Sequence, residues 1–283
     1  MRRSRARRRS VGVAAGAKEM RRDSRPRYAE SMMPAGVPRD GARALARSGA
    51  ASAARLLGWQ RLYDRVNRPL MELAEMQPVT AQWWRERRKQ KGGFRYLALG
   101  DSTAQGIGAS TPGRSYVGQL IDRIEASTGE PVKVVNLAVS GATTALCLRD
   151  QLPKAEKVLA YEPDLVTIAI GANDIAEWDA VRFHRNMTQI LGALPRHTIV
   201  SELPCFHLPW NERKVRVANR MIHAIAGDLG MRVVPLHRAT QERGVAGVLT
   251  EFAADAFHPN DRGYEVWADT FWPLVEERIA AVG

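Results

Sequence analysis

From residue 94 onward, short hydrophobic runs alternate with longer stretches whose apolar positions recur at helical spacing, and glycine-containing turns separate them. The runs predict strands at residues 94–99, 132–139, 165–170, 198–203 and 232–236. The stretches predict helices at residues 116–127, 152–161, 179–194, 212–229 and 263–281. Strands that alternate with helices predict an α/β fold, with a parallel sheet covered by helices on both faces and joined by right-handed crossovers.

The first third of the chain has a different pattern. Residues 1–41 are rich in Arg, Ala, Ser, Gly and Pro and lack periodicity, which predicts a basic disordered extension. Residues 42–76 carry apolar positions at helical spacing with arginines between them, and Pro69 divides them into two predicted amphipathic helices. Residues 83–91 are interpreted as a charged linker. The predicted organisation is therefore an extension (1–41), a helical segment with linker (42–91) and one domain (92–283).

Charge is distributed unevenly along the 283 residues. The net charge is +12, but residues 1–91 hold 23 Lys/Arg against 8 Asp/Glu, which leaves the predicted domain slightly acidic. A basic tail can attract the phosphates of lipids or nucleic acids by charge alone, and a basic amphipathic helix can lie on a membrane or pack on its own domain. No zinc-finger spacing or RNA-binding signature accompanies the tail. We expect no specific nucleic-acid partner, and peripheral membrane contact through residues 1–91 stays open.

The cellular location of the protein and the redox state of its cysteines are predicted from features that the sequence lacks. The apolar stretch at residues 11–17 is short and glycine-broken, which makes a poor signal peptide, and no window approaches the roughly 20 apolar residues that span a bilayer. Cys147 and Cys205 follow the second and fourth predicted strands, about 14 Å apart across three strand spacings, whereas a disulfide needs Cα atoms within about 7 Å. We expect free thiols and a cytoplasmic protein, with a membrane-peripheral location as the alternative.

The predicted strand exits carry the candidate chemistry, because ligands of open α/β sheets bind at the carboxyl ends of the strands. Ser102 follows the first strand and a glycine, at the start of the next helix, where backbone N–H groups favour a developing anion. A serine hydroxyl is a weak nucleophile until a base takes its proton. The alternative is that Ser102 only caps the helix.

A histidine and an aspartate near the C-terminus supply such a base. His258 is a candidate general base because histidine as a residue type suits proton transfer near neutral pH, and Asp255, three residues earlier, can orient the imidazole and stabilise its charged form. Pro259 restricts His258 to an extended conformation. The other five histidines lack this combination, and we keep only His207, in the loop after the fourth strand, as a minor pocket candidate.

Two further strand exits offer hydrogen-bond donors for an oxyanion. Gly141, after the second strand, can bring its N–H close because it has no side chain, and Asn173, after the third strand, offers a side-chain amide. Alternatively, Gly141 is only a turn glycine and Asn173 caps the helix after Asp174. In the strand order 2-1-3-4-5 the second and third strands flank the first, which would place Ser102, Gly141 and Asn173 side by side.

Four sequence blocks, centred on Gly100-Asp101-Ser102, Gly141, Gly171-Ala172-Asn173-Asp174 and Asp255-Ala256-Phe257-His258, together resemble the signature blocks of the SGNH hydrolases, also called GDSL-like esterases and lipases. The resemblance covers about residues 94–281. It implies a flavodoxin-like three-layer sandwich with a five-stranded parallel sheet in the order 2-1-3-4-5. It also implies hydrolysis of acyl esters without metal or other cofactor, through a Ser102–His258–Asp255 triad. The implied oxyanion hole comprises the N–H groups of Ser102 and Gly141 and the Asn173 amide.

The chain departs from the family pattern at Thr103, where many members have leucine, which affects packing near the nucleophile more than the mechanism. We therefore expect a serine esterase, a monomer acting on a small-molecule or lipid ester. A lysophospholipase- or thioesterase-type lipid hydrolase and a non-catalytic α/β binding domain with a basic tail remain alternatives. The segment 204–210, with four apolar residues, can line an acyl pocket or pack beneath the adjoining helix.

Overall fold

The computed structural model describes residues 76–283 of the chain. Five parallel strands form one sheet in the order β2-β1-β3-β4-β5. They are β1 (Phe94–Gly100), β2 (Val132–Asn136), β3 (Leu165–Ala169), β4 (Ile199–Ser201) and β5 (Arg232–Val234). The predicted α/β class and strand order are confirmed, and β1 lies between its two nearest partners, β2 and β3.

Ten α-helices connect and cover these strands in the described part of the chain. They are α1 (residues 76–87), α2 (Ser102–Gln105), α3 (Tyr116–Thr128), α4 (Thr144–Leu146), α5 (Leu152–Leu159), α6 (Ala180–Gly192), α7 (Pro209–Asp228), α8 (Leu236–Glu242), α9 (Gly244–Thr250) and α10 (Asp261–Val282). Short 3₁₀ turns at Pro112–Arg114 and Ala172–Ile175 and a π-helical turn at Cys147–Gln151 complete the secondary structure.

The core consists of two layers of buried side chains, one on each face of the sheet. Helices α3 and α10 bury one face, where Tyr116 stacks on Phe271 with ring centroids 4.9 Å apart. Helices α5, α6 and α7 bury the other face with aliphatic residues at helical spacing. The arrangement is the predicted three-layer sandwich, and the central strand β3 is buried along its whole length, as expected for a parallel sheet with helices on both faces.

The element ends differ from the predicted ones for local reasons. Strand β2 ends at Asn136, because the Asn136 side chain accepts the Ala138 N–H and donates to the Ala104 carbonyl, which turns the chain away from the sheet. Strand β5 stops at Val234, since Pro235 has no N–H for the ladder and precedes α8.

The segment predicted as a linker from residue 83 is partly helical, so that prediction was wrong over residues 83–87. Helix α1 runs to residue 87, and Trp84, only 5% exposed, packs in the core and donates its indole N–H to the Gln105 carbonyl at 2.9 Å. Arg87 pairs with Glu125 at 2.7 Å. The predicted extension 1–41 and nearly all of the predicted helical stretch 42–76 lie outside the described residues.

The sequence predicts neither a membrane-spanning helix nor a disulfide, and residues 76–283 bear on both predictions. No helix there combines the length and the apolar character needed to cross a bilayer. Cys147 and Cys205 are both buried free thiols, which confirms the prediction that they are unpaired.

Candidate active site

Ser102 lies where β1 passes into α2. The helix is capped by Asp101, whose carboxylate accepts the backbone N–H and the hydroxyl of Thr103 at 2.9 and 2.8 Å. Ser102 is the first helical residue and not the cap, so the alternative of a purely capping serine was wrong. The strand exit needs glycine at position 100, because a Cβ there would lie 2.5 Å from the Ala169 carbonyl oxygen.

Asp255 and His258 occupy the loop before α10 and are held in one tight unit. Asp255 accepts the backbone N–H groups of Phe257 and His258 at 3.0 Å each, and its second carboxylate oxygen lies 2.5 Å from His258 Nδ1. The side chain of Asp255 is only 1% exposed. Burial alone would raise the pKa of Asp255, but the hydrogen bond and charge of His258 and the two N–H groups lower it below its ordinary value.

The loop brings His258 against Ser102 across 156 residues of sequence. His258 Nε2 lies 2.9 Å from the Ser102 hydroxyl oxygen, while its other ring nitrogen faces Asp255. Gly108 makes this approach possible, since a Cβ at that position would lie 2.8 Å from the Cβ of His258. The Ser102 hydroxyl, the His258 ring and the Asp255 carboxylate are therefore hydrogen-bonded in series, an arrangement in which a histidine can activate a serine.

Gly141 and Asn173 lie at the exits of the strands that flank β1. Gly141 has φ of 76°, a left-handed conformation that glycine adopts without strain. Asn173, in the 3₁₀ turn after β3, donates its side-chain amide to the Ala142 carbonyl at 3.0 Å, so the two exits contact each other. The alternative that Asn173 caps the next helix was wrong, because the cap of α6 is Asp179.

Gln151, which the sequence did not reveal, binds the end of strand β1 just before Ser102. It closes the π-helical turn and is fully buried. Its amide accepts the Gly100 N–H at 3.1 Å and donates to the Gly100 carbonyl at 2.7 Å, two residues before Ser102. A contact over 51 residues leaves no local pattern, so no signal in the sequence could have found it.

We expect Gln151→Ala to lower the free energy of unfolding by about 1 to 3 kcal/mol, because it leaves the buried Gly100 N–H without its amide partner, whereas the Gly100 C=O keeps the Val139 N–H at 3.2 Å. Urea unfolding measures the change. Gln119→Ala, which removes an exposed amide bound to the Arg114 carbonyl, is the control and should change stability by less than about 0.5 kcal/mol. Equal stability of the two variants would contradict this role.

Asp174, beside Asn173, supports the site through a second buried network. Its carboxylate accepts the backbone N–H of Thr144 at 2.8 Å and the Thr144 hydroxyl at 2.6 Å, and Asn186 donates to that hydroxyl at 3.1 Å. Burial raises the pKa of Asp174 despite these hydrogen bonds. The network fixes the exit of β3 to the start of α4, three residues after Gly141.

The segment 204–210 splits between the core and the surface. Phe206 packs against the core layer of α5, α6 and α7, whereas Leu208 and Trp210 are 44% and 66% exposed. His207 lies edge-on to Phe252, with ring centroids 6.4 Å apart. Trp210 belongs to α7 and does not pack beneath it, and an acyl-binding role for the segment stays a prediction.

A family model described as the GDSL-like lipase/acylhydrolase family matches residues 98–266. This range is more than half of the chain and includes all of the residues named in the candidate active site. The chain belongs to this family. The predicted resemblance is therefore confirmed, and the chain is related to lipases and acylhydrolases, enzymes that cleave carboxylic esters.

One known protein and two solved structures are similar to the domain of this chain. An acetylxylan esterase of Xylanibacter ruminicola is 22% identical over 211 residues, which are 62% of this chain and 42% of that protein, so the chain spans less than half of this curated relative. A lipase/acylhydrolase from Enterococcus faecalis has a TM-score of 0.53 at 22% identity, over 65% of this chain and 95% of the other. The acetylxylan esterase Axe2 of Geobacillus stearothermophilus has a TM-score of 0.51 at 22% identity, over 65% and 94%. These likenesses show the fold.

Proposed function

We propose that this protein is a serine esterase that hydrolyses acyl esters through Ser102, His258 and Asp255. The observation that carries the proposal is the contact of His258 with both partners, 2.9 Å to the Ser102 oxygen and 2.5 Å to Asp255. Membership of the GDSL-like family supports the same reaction class.

In the proposed reaction, Ser102 attacks the ester carbonyl while His258 accepts the hydroxyl proton at Nε2. The ionised Asp255 stabilises the imidazolium that forms, and its two backbone hydrogen bonds keep the carboxylate in place. His258 then returns the proton to the departing alcohol. Water attacks the acyl-serine by the same route, with His258 as base, and releases the acid.

The oxyanion of each tetrahedral intermediate is proposed to bind at the junction of the three strand exits. Its donors are the N–H of Ser102 at the start of α2, the N–H of Gly141 and the side-chain amide of Asn173. The positive end of α2 adds to the stabilisation of negative charge there. The hydrogen bond from Asn173 to the Ala142 carbonyl supports this placement, because it fixes the amide beside the Gly141 turn.

The acyl group is proposed to be short, with acetyl esters as the substrates. Two relatives named acetylxylan esterases support a small acyl group over a lipid. Hydrolysis of a p-nitrophenyl ester series from acetyl to palmitoyl tests the reaction and the acyl pocket together. A maximum of kcat/KM at acetyl or butyryl supports the proposal, whereas a maximum at long chains favours the lysophospholipase- or thioesterase-type alternative.

A non-catalytic binding domain is the competing function, and a covalent probe separates the two. A fluorophosphonate should label the full-length protein at Ser102 and at no other serine, because only an activated hydroxyl attacks it. Absence of labelling would favour the binding domain.

The basic segment needs a separate test. Removing residues 1–75 keeps every described residue of α1, and a loss of binding to anionic vesicles on truncation would support peripheral membrane contact.

We expect chelation to leave ester hydrolysis unchanged, because the proposed reaction uses a histidine base and hydrogen-bond donors and no metal ligand. The measurement is kcat for p-nitrophenyl acetate at 25 °C before and after dialysis against EDTA. Loss of activity that a divalent ion restores, in dialysed protein that circular dichroism shows to be still folded, would contradict the mechanism.

A further inference from the structure

A second group of reactive side chains lies at the carboxyl edge of the sheet, beyond β4 and β5. Cys205 follows β4, Glu212 lies in the first turn of α7, and His237 lies in the first turn of α8. None of the three belongs to the proposed catalytic triad. The family resemblance gives them no role.

The three side chains converge on one small volume. The Cys205 sulfur lies 3.5 Å from one oxygen of Glu212, and the other oxygen contacts His237 Nε2. One potential ligand atom from each of the three residues lies within 4.8 Å of the other two. Cys205 is 7% exposed, and the side chains of Glu212 and His237 are 13% and 14% exposed, so the group is shielded but reachable.

A ring nitrogen of His207 lies beside the sulfur and is a fourth potential ligand atom. His207 Nδ1 lies 3.6 Å from Cys205 Sγ. The backbone of His207 has φ of 56°, an uncommon conformation for a histidine, and it turns the loop back toward Cys205. Sulfur and a nitrogen or oxygen on one tetrahedral zinc ion are about 3.5 Å apart, given usual Zn–S and Zn–N distances. Both separations from the sulfur match that value.

Further hydrogen bonds hold these residues in position. The Cys205 N–H donates to the Thr240 hydroxyl at 2.9 Å, and the backbone N–H of His237 donates to Glu202 at 3.0 Å. The Phe206 N–H donates to Glu212 at 3.2 Å, which aims the carboxylate at the sulfur. A ligand set fixed by outer hydrogen bonds in this way is typical of metal centres.

We propose that Cys205, Glu212 and His237 bind one zinc ion, and that the His207 side chain turns from its place beside the sulfur to supply the fourth ligand. Thiolate, imidazole and carboxylate together suit Zn²⁺, whereas Mg²⁺ and Ca²⁺ prefer oxygen ligands alone. Binding displaces the Cys205 thiol proton to solvent and forms the zinc–sulfur bond. The ion would join the loop after β4 to helices α7 and α8. It would be structural, separate from the ester chemistry.

The four residues do not follow a regular metal-ligand spacing in the sequence. The pattern Cys205-X-His207-X₄-Glu212 is irregular, and His237 follows 25 residues later on another element. Only the neighbouring positions of β4 and β5 in the sheet bring them together. The competing possibility is a metal-free cluster in which the thiol and imidazole donate to Glu212.

Cobalt and zinc binding to the untagged full-length protein test the proposal. Titration of the chelator-stripped protein with Co²⁺ should give intense visible bands of tetrahedral cobalt and a near-ultraviolet thiolate-to-cobalt band. Addition of Zn²⁺ should displace both and raise the melting temperature. Elemental analysis after zinc loading and dialysis should find about one zinc per chain.

Cys205→Ser and His237→Gln should each reduce the retained zinc to about a tenth or less, and Cys205→Ser should abolish the thiolate band. His184→Gln, which changes an exposed histidine of α6, is the matched control and should retain zinc. Wild-type protein that gives no thiolate band, or variants that retain zinc as the control does, would overturn the proposal and leave the metal-free cluster. Hydrolysis of p-nitrophenyl acetate, measured in parallel, reports separately on the proposed esterase.

Discussion

The Ser102→Ala variant is expected to hydrolyse p-nitrophenyl acetate on the order of 10⁶-fold more slowly than the parent protein, with the fold unchanged. The reason is that nucleophile, base and carboxylate act as one unit, so loss of the nucleophile removes nearly the whole contribution of the three. The hydroxyl that His258 contacts is that of Ser102, whose oxygen lies 2.9 Å from His258 Nε2. Steady-state kinetics of the purified variant measures the effect.

Two controls make the result specific. Ser127→Ala changes an exposed serine near the end of α3 and should leave turnover within about twofold, since surface substitutions away from a site have small effects. Circular dichroism and the melting temperature should show that Ser102→Ala remains folded. If the folded variant kept more than about a tenth of the activity, Ser102 would not be the nucleophile.

The sequence was sufficient for the sheet because its signals are local. Each strand contains an apolar run, and the exits of β1 and β3 carry glycine, at Gly100 and Gly171, where a neighbouring segment lies close. Ser102, Gly141 and Asn173 could be placed together because parallel strands end at the same edge. The order of the strands then followed from the family resemblance.

The residues that escaped prediction make contacts between distant segments. Gln151 reaches Gly100 over 51 residues, and Thr144 reaches Asp174 over 30. Trp84 lies in a segment whose charges suggested a linker, yet its indole packs beside the nucleophile helix and donates to Gln105. Burial of this kind depends on the tertiary neighbour and leaves no periodic pattern in a short charged stretch.

These unpredicted contacts share one consequence for the proposed site. Polar side chains tie β1 and α2 to the segments beside them: the buried Gln151 binds Gly100, Gln105 donates to the Ala138 carbonyl, and Asn136 donates to the Ala104 carbonyl. A nucleophile and its donors need such support, because a small displacement costs much of the rate.

Asn173 is expected to matter for turnover more than for stability. In the Asn173→Ala variant we expect kcat to fall by about 10²- to 10³-fold while KM changes little, because the amide is proposed to meet charge that develops only in the transition state. The measurement is steady-state hydrolysis of p-nitrophenyl acetate together with urea unfolding. Both are made on one purified variant.

The opposing interpretation is that Asn173 only tethers the loop after β2, through its hydrogen bond to the Ala142 carbonyl. Loss of such a tether lowers stability by about 1 kcal/mol and leaves the chemistry intact. Asn219→Ala is the matched control, since Asn219 ties the Leu203 backbone by two hydrogen bonds away from Ser102. It should lose stability and keep kcat. An Asn173→Ala variant that behaves like this control, less stable but with near-normal kcat, would show that the asparagine is a structural tether and would leave the oxyanion to the N–H groups of Ser102 and Gly141.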